Sequence, residues 1–303
     1  MSERLYRDQV RLLVRVLPTV AAEACFALKG GTAINLFWRD LPRLSVDIDL
    51  TFLPVADREA SLTEIDAALR RIAAAIPTAV PGAVVEVQGG AAVQARRLLV
   101  RAGGVQIKIE VTPVLRGVVF PPETRGVSER VEAEYGFAEA PLVSFADLYA
   151  GKLVAALDRQ HPRDLFDVRD LLANEGLTRP VIEAFLVYLV SHNRPMAEVL
   201  DPHRLDMTQE FERNFVGMTT APVALSELVD AREALVAGLH DALTQDDRQF
   251  LMSVKTGEPR WDLLGLPHAA ELPAVRWRLQ NLAALAPERR DALAERLKRV
   301  LRL

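Results

Sequence analysis

The chain has 303 residues, enough for one large domain or two of ordinary size with a buried core. Half of its residues are hydrophobic and 26% are charged, a balance typical of a folded protein and unlike that of a disordered chain. Its net charge of -4 argues against broad, non-specific attraction to nucleic acid, so contacts with nucleic acid must come from local basic patches.

Membrane insertion and secretion are not expected. No apolar run approaches the roughly 20 residues that a bilayer-spanning helix needs. The first 13 residues alternate charged and apolar side chains, without the unbroken apolar stretch of a secretory signal. Cys25 is the single cysteine, which excludes a disulfide framework and a cysteine zinc site. We therefore expect a cytoplasmic protein with no membrane association.

The first half of the chain mixes the 3.6-residue period of helices with the two-residue period of strands. Prolines at 18 and 77 are expected to end the first and third helices. In chain order, the pattern predicts helices over residues 3–17, 32–38 and 61–75, and strands over residues 25–28, 46–52, 83–88, 95–101 and 106–111.

From about residue 144 the pattern is helical to the end of the sequence, with an ambiguous segment over residues 195–222. Helices are predicted over residues 145–158, 163–174, 179–193, 224–242, 273–285 and 287–301. Pro141 and its neighbours suggest a boundary between a catalytic domain, residues 1–140, and an α-helical domain, residues 141–303. We expect the second domain to complete the active site and to bind the acceptor.

Asp47 and Asp49 carry the first chemical signal. Residues i and i+2 of a strand point to the same face, so the two carboxylates project together. Neighbouring carboxylates repel unless a cation lies between them, and hard oxygen ligands suit Mg²⁺. The alternative is a solvated strand face, where Asp-x-Asp also occurs.

Upstream, Lys29-Gly30-Gly31-Thr32 lies between a predicted strand and a predicted helix. The glycines let the backbone approach a ligand closely, and N–H groups at a helix start are donors for phosphate. Lys29 or Thr32 could add contacts to the same oxygens, but an ordinary Gly-Gly turn is the simpler alternative. The segment is not a Walker A loop, because no Gly-Lys-Ser/Thr follows at the required spacing.

Glu110 alternates with apolar residues on a later predicted strand, as does Lys108. A carboxylate there could bind a second metal ion or take the proton of an attacking hydroxyl. Alternatively, Lys108 and Glu110 form a solvent-facing stripe.

Further along, Lys152 is a candidate to neutralise polyphosphate charge. Asp164 and Asp167 share one helix face at i, i+3, although an acid near a helix start, such as Asp164, also suits the helix dipole. Three nearby residues are candidates for binding nucleotide or acceptor phosphate: Arg159, His161 and Arg163. For His161, an ordinary loop histidine is the alternative.

The last predicted helix is strongly basic and could bind an RNA backbone or lie solvated.

Taken together, these segments resemble the AbiEii/AbiGii toxin family of nucleotidyltransferases, which includes the mycobacterial MenT toxins. The resemblance spans nearly the whole chain, and it depends on the order and spacing of the segments because no single one is specific. The matching segments are Lys29-Gly30-Gly31-Thr32-Ala33, Arg43-x-Ser45-x-Asp47-Ile48-Asp49-Leu50, Lys108-Ile109-Glu110-Val111, Lys152-Leu153, Arg159, Arg163-Asp164-x-x-Asp167 and residues 273–282.

The resemblance implies an α+β fold: a polymerase-beta-like nucleotidyltransferase core, with a mixed sheet and flanking helices, followed by an α-helical domain. It implies that Asp47 and Asp49 bind metal and that Glu110 is the third carboxylate. Ser45 and Lys152 would contact the triphosphate. Asp167 would be the late catalytic aspartate, with Asp164 as the competing assignment. The wider superfamily commonly has Gly-Ser where this chain has Gly30-Gly31, so Thr32 is expected to replace that hydroxyl.

By the same resemblance, the chain is expected to be a toxin paired with an antitoxin protein or antitoxin kinase, in a toxin–antitoxin or phage-defence system. It would move a nucleotide from a nucleoside triphosphate to the 3′ end of tRNA, using two Mg²⁺ ions or Mn²⁺, and so block translation. Two alternatives remain open at this point. The acceptor could be a protein or a small molecule, or the chain could be a non-catalytic relative that acts as an interaction module.

Overall fold

A computed structural model describes residues 3–89 and 96–303. Contacts within the chain divide it into two units, Met1–Ser144 and Phe145–Leu303, called here the sheet unit and the helical unit. The predicted boundary at residue 140 lies within a strand, Glu139–Leu142, and the division falls after Ser144 because that strand belongs to the sheet.

The sheet unit is built on a mixed sheet, for which the described residues supply seven strands in the order β3-β4-β5-β2-β1-β7-β6. The pairs β2–β5 and β1–β7 are parallel, and the other neighbours are antiparallel. The strands are β1 Phe26–Lys29, β2 Asp47–Phe52, β3 Val84–Gln88, β4 Arg97–Ala102, β5 Val105–Val111, β6 Glu123–Gly126 and β7 Glu139–Leu142.

Alternate residues of β2 contribute to the core on one side of the sheet. Ile48, Leu50 and Phe52 are at most 2% exposed, and the Phe52 ring meets Phe26 of β1 edge-on with centroids 6.1 Å apart. Because successive side chains of a strand point to opposite faces, this burial turns the aspartates of β2 to the other face. The first residue of the predicted strand 95–101 lies outside the described residues. Strands β6 and β7 were not predicted.

Helices flank the sheet, and the predicted ends at Pro18 and Pro77 are wrong. The helices of this unit are α1 Glu3–Ala21, α2 Gly30–Ala33, a π-helical segment Ile34–Trp38, α3 Arg58–Ala79 and α4 Glu129–Tyr135. Both prolines lie inside a helix. Helix α1 continues through Val20, and α3 continues to Ala79 with Val80 as its C-cap; both valines are almost fully buried. Burying that apolar surface offsets the one hydrogen bond that a proline removes near a helix end.

The helical unit matches the six predicted helices and adds three. Its helices are α5 Phe145–Arg159, α6 Pro162–Asn174, α7 Arg179–Ser191, α8 Met196–Leu200, α9 Thr208–Asn214, α10 Leu225–Ala242, α11 Gln245–Thr256, α12 Pro273–Ala283 and α13 Pro287–Leu301. Helix α5 packs against α6 and α7, α10 against α6, and α13 against α8 and α11. The ambiguous segment contains α8 and α9, whereas α11 was missed although Thr244 and Asp247 form a capping box at its start.

These features confirm the predicted fold class, a mixed sheet with flanking helices followed by a helical region. None of the helices in the described ranges is long and apolar enough to cross a membrane.

Candidate active site

The face of the sheet opposite the core of β2 carries a row of charged side chains. In register, Lys29 of β1 pairs with Asp49 of β2, Asp49 with Glu110 of β5, and Glu110 with Arg97 of β4. Residues directly opposite each other on neighbouring strands share a face. A cation, two carboxylates and a second cation therefore follow one another across four strands, and Asp47 lies on the same face two residues before Asp49.

Ion pairs hold this row together. The Lys108 Nζ lies 3.4 Å from Asp47 Oδ2 and 3.0 Å from Glu110 Oε2, and the Arg97 Nη2 lies 2.9 Å from Glu110 Oε1. Burial alone would raise the pKa of Glu110, but hydrogen bonds from Arg97 and Lys108 lower it overall. Burial alone would lower the pKa of Lys108, but its hydrogen bond to Glu110 and the charge of Asp47 raise it overall.

The Gly30-Gly31 bend lies against the acidic row. A Cβ on Gly30 would stand 2.6 Å from Asp49 Oδ2, and one on Gly31 would stand 2.6 Å from Arg43 Nη2 and 2.8 Å from Ser45 Oγ. Gly30 also has a φ of +76°, a conformation that residues with a Cβ rarely adopt. Glycine at both positions is what allows the carboxylate of Asp49 and the guanidinium of Arg43 to lie against the backbone.

Thr32 connects the bend to the start of β2. Its buried hydroxyl donates to the backbone oxygen of Asp47 at 2.5 Å and lies 3.1 Å from Ser45 Oγ. These bonds fix the position of Ser45 beside Gly31 and of Asp47 at the strand start. Thr32 thus has a positioning role in this structure, and its contact with phosphate stays a prediction.

Arg43 and Asn35 belong to this site, although neither was assigned a role from the sequence. Asn35 donates to the carbonyl of Gly31 at 2.7 Å and accepts from the backbone N–H of Arg43 at 3.2 Å. The Arg43 side chain is only 3% exposed and lies over Gly31. The regular two-residue spacing of Arg43, Ser45, Asp47 and Asp49 was a signal that could have identified Arg43.

Lys29 is held close to the carboxylates. Its ammonium donates to the Thr112 hydroxyl at 3.0 Å. Burial lowers the pKa of Lys29, and the charges of Asp49 and Glu110 act in the opposite direction. Lys29 is therefore placed to balance negative charge on this face of the sheet.

Asp47 and Asp49 are the residues here that fit a divalent metal ion. Their carboxylates are adjacent hard oxygen donors. The absence of a Cβ on Gly30 leaves room for the carboxylate of Asp49 beside the backbone. Mg²⁺ typically uses one or two carboxylates and completes its shell with water and substrate phosphates. Within the described ranges, no group of three or more His, Cys, Asp or Glu is arranged to hold a metal. Glu110 is engaged by Arg97 and Lys108, so its predicted metal role requires those bonds to open.

The helical unit contains a separate, buried ionic cluster. Lys152 of α5 places its Nζ 2.8 Å from Asp164 Oδ1 and 3.0 Å from Asp167 Oδ2, both on α6. The three side chains are 9%, 2% and 1% exposed, respectively. Because unpaired charges are rarely buried, the lysine and the two aspartates form one interdependent group.

Arg159 extends this cluster to the protein surface. Its guanidinium bonds both Asp164 oxygens, at 2.5 and 3.0 Å, while its side chain is 62% exposed. Burial would raise the pKa of Asp164, but the charge of Lys152 and the bonds from Arg159 hold it well below its ordinary value. Asp164 is thus an ionised carboxylate with both oxygens engaged.

His161 caps α6. Its Nδ1 accepts from the backbone N–H of Arg163 at 3.1 Å, and its Nε2 lies 2.8 Å from Glu210 Oε1. Burial, followed by the charge of Arg163, lowers the pKa of His161. This geometry gives His161 a structural role, whereas the Arg163 side chain is exposed.

The structure therefore groups the predicted site residues by unit. The sheet unit brings together Lys29, Gly30, Gly31, Thr32, Ser45, Asp47, Asp49, Lys108 and Glu110, and the helical unit brings together Lys152, Arg159, His161, Arg163, Asp164 and Asp167.

A mixed sheet that carries paired aspartates beside a glycine bend is the arrangement expected of a nucleotidyltransferase. The family model described as "Nucleotidyl transferase AbiEii toxin, Type IV TA system" matches residues 11–281, so the chain belongs to the AbiEii family of nucleotidyltransferase toxins. The predicted family and enzyme class are confirmed. As a toxin–antitoxin family, it implies a nucleoside triphosphate substrate and an antitoxin partner, and enzymes of this class generally use a divalent metal.

A solved structure supports the fold. MenT4, a nucleotidyltransferase toxin from Mycobacterium tuberculosis, superposes with a TM-score of 0.61 at 20% sequence identity, over 92% of this chain and 92% of that chain. Among curated protein sequences, no significant match to this chain was found.

Proposed function

We propose that this protein is a Mg²⁺-dependent toxin that moves a nucleoside monophosphate from a nucleoside triphosphate to the 3′ end of tRNA and thereby blocks translation. The observation that carries the proposal is the placement of Asp47 and Asp49 side by side on β2, with the carboxylate of Asp49 against Gly30. Acidic side chains in this arrangement hold the cation that a triphosphate brings with it.

In the proposed reaction, the oxygen of a ribose hydroxyl forms a bond to the α-phosphorus of the triphosphate. The bond from that phosphorus to the bridging oxygen breaks, pyrophosphate leaves, and the hydroxyl proton passes to a carboxylate or to water. Bound Mg²⁺ would supply stabilisation of the charge that develops on these oxygens. Asp47 and Asp49 would hold the metal, and Glu110, once released from Arg97 and Lys108, would join them.

Residues of the glycine bend would orient the triphosphate. The backbone N–H groups of Gly30 and Gly31, the hydroxyl of Ser45 and the ammonium of Lys29 are the candidate donors. Arg43 lies against the same bend and would add a guanidinium. Fixed donors of this kind are effective because they need no reorganisation during the reaction.

We further propose that the helical unit takes part in the reaction through Lys152 and Asp167 and that it binds the acceptor. Arg159 and Arg163 support a phosphate-rich acceptor, because both present a guanidinium to solvent. Asp164, which Arg159 and Lys152 engage on both oxygens, has the alternative role of fixing those cations.

The test is incubation with each nucleoside triphosphate, labelled at the α-phosphate, together with total tRNA and MgCl₂. We expect label on tRNA, and a loss of at least about 100-fold in Asp47→Asn, the scale typical of removing one group that stabilises the transition state. Asp262→Asn removes the charge of a surface aspartate that is 68% exposed and should retain full activity.

Further controls test the acceptor, the metal and the role of Asp167. Periodate oxidation of the tRNA 3′ diol should abolish labelling, and Mn²⁺ should replace Mg²⁺ after chelation. Asp167→Asn should lower kcat with nucleotide affinity retained. Label on protein or on a small molecule would move the acceptor to those alternatives. No transfer to any acceptor, together with no triphosphate binding by calorimetry, would contradict the proposal.

A further inference from the structure

The helical unit contains a cavity of about 760 Å³ with no role in the reaction proposed above. Side chains of α10, of α13 and of the segment after α8 line it. Four of the lining residues are arginines: Arg204, Arg296, Arg299 and Arg302. A basic cavity is unusual in a chain whose net charge is -4, because the protein as a whole supplies no positive field.

Three of these arginines lie at the end of the last helix. Arg296 and Arg299 are three residues apart on α13, so they occupy neighbouring positions of one helix face, about 4.5 Å apart along the axis. Arg302 follows the helix as its C-cap, in the left-handed conformation with a φ of +57°. All three line the cavity, which gathers several guanidinium groups, as an extended polyanion requires.

The acidic residues of the cavity are already engaged. Arg204 lies 2.8 Å from Asp201 and 3.1 Å from Glu233, and Arg296 pairs at 2.7 Å with Glu198. In the part of the chain that the structure describes, Arg299 and Arg302 make no side-chain hydrogen bond or ion pair. Two of the cations that line the cavity are thus available to a ligand.

His240 of α10 also lines the cavity. Burial, followed by the charges of Arg302 and Arg248, lowers the pKa of His240, which keeps the imidazole neutral at physiological pH. A neutral imidazole adds no further repulsion among the arginines.

We propose that this cavity binds the phosphate backbone of a polynucleotide through Arg299 and Arg302, with His240 beside them. The planar guanidinium fork matches two phosphate oxygens, and Arg299 on α13 and Arg302 directly after that helix offer two such forks to the cavity. The inference rests on the proposed RNA acceptor, for which it supplies a binding surface. An acidic protein segment has the same sign of charge, and its binding is an outcome of the test.

The experiment measures the affinity of the whole protein for total tRNA by fluorescence anisotropy, in buffer without Mg²⁺ or nucleotide, at several salt concentrations. The variant is Arg299→Gln/Arg302→Gln. Its matched control is Lys298→Gln, which removes an exposed cation of the same helix that does not line the cavity. Circular dichroism checks that both variants fold.

We expect the double variant to raise the Kd by about 10- to 50-fold and to reduce the slope of log K against log salt by roughly 1.4 to 1.8, the values for two lost phosphate contacts. Arg299→Lys/Arg302→Lys should retain most of the salt slope. Lys298→Gln should change the Kd less than threefold, on the order of one weak contact.

The proposal is overturned if the double variant binds tRNA like the control, and equally if it loses affinity for polyglutamate but not for tRNA. The second result would assign the cavity to an acidic protein. Failure here is distinct from failure of the proposed function. If the double variant binds tRNA normally while the wild type labels tRNA, the cavity proposal alone is contradicted. If the double variant loses tRNA binding but the wild type transfers no nucleotide, the proposed reaction alone is contradicted.

Discussion

The two units solve the same electrostatic problem in different ways. In the sheet unit, the charged row is open to solvent, with side-chain exposures of 48% for Asp47, 33% for Glu110 and 29% for Lys108. In the helical unit, Lys152, Asp164 and Asp167 are at most 9% exposed. Water can screen the first set, so its pairs can open for a ligand. The second set has no such screening and must remain complete.

This difference predicts which substitutions change only the reaction and which also change the stability of the fold. Exposed ion pairs typically contribute about 0–1 kcal/mol, because water solvates the separated charges almost as well. Removing one partner of a buried pair costs about 3–5 kcal/mol, because an uncompensated charge is left behind. Substitutions in the sheet unit are therefore expected to act on the reaction, and those in the buried cluster on both the reaction and the fold.

The largest expected effect is that of Lys152→Ala. It leaves Asp167 without its lysine and Asp164 with Arg159 alone, so we expect the free energy of unfolding to fall by about 3–5 kcal/mol. The measurement is urea unfolding followed by circular dichroism. Asp47→Asn provides the comparison from the sheet unit and should change the same quantity by less than about 0.5 kcal/mol.

Lys152→Ala/Asp167→Asn sharpens this result. Removing the second charge should recover part of the lost stability, because the buried carboxylate that caused the penalty is gone. Equal unfolding free energies for Lys152→Ala and the wild type would show that water reaches the cluster and would remove the contrast between the units.

A smaller effect, of opposite sign, is expected at Lys255 on α11. This lysine is 3% exposed, and among the described residues it has no acidic partner. Burial, together with the charge of Arg278, lowers its pKa from 10.5 to about 8. Lys255→Met should therefore raise the free energy of unfolding at pH 7 by about 1–2 kcal/mol, because it removes the cost of burying a charge.

The lowered pKa of Lys255 predicts how the stabilising effect of Lys255→Met changes with pH. Below pH 8 the lysine is protonated in both states, and the folded state bears the full cost. Between pH 8 and 10.5 the folded protein has released the proton and the unfolded chain has not, so wild-type stability rises with pH. The advantage of Lys255→Met should shrink over that range, as measured by urea unfolding at each pH. Lys298→Met, at an exposed lysine of α13, should show no such trend, and a pH-independent advantage at Lys255 would refute the explanation.

The sequence could predict what depends on local pattern. Two-residue alternation predicted β2 and β5, and it correctly placed Asp47 and Asp49 on one face of β2. The distance between those strands in the chain gave no information on their parallel register, so the pairing of Asp49 with Glu110 and the ion pair between Lys108 and Asp47 could not be foreseen.

Features that depend on tertiary packing could not be predicted from the sequence. Helices α1 and α3 continue through their prolines because buried apolar residues lie beyond them. The order Lys152, Asp164, Asp167 indicated a functional cluster, but only the packing of α5 on α6 buries it and makes its charges depend on one another.

The smallest expected effect is that of Arg97→Gln, which tests whether the charged row of the sheet unit really behaves as a solvated one. The Arg97 side chain is 43% exposed, and its bond to Glu110 at 2.9 Å is an exposed cross-strand pair. We expect Arg97→Gln to lower the free energy of unfolding by less than about 1 kcal/mol in low salt.

Salt decides the interpretation of Arg97→Gln. At about 1 M salt the Debye length is about 3 Å, so most of the difference from the wild type should disappear. Arg101→Gln removes a comparable exposed pair, with Glu86 at 2.9 Å on the neighbouring strands, and should show the same small, salt-sensitive loss. A loss above about 2 kcal/mol that persists in salt would mean that Glu110 depends on Arg97 as Asp164 depends on Lys152. In that case Glu110 could not be released to a metal ion, and Asp47 and Asp49 would have to hold it alone.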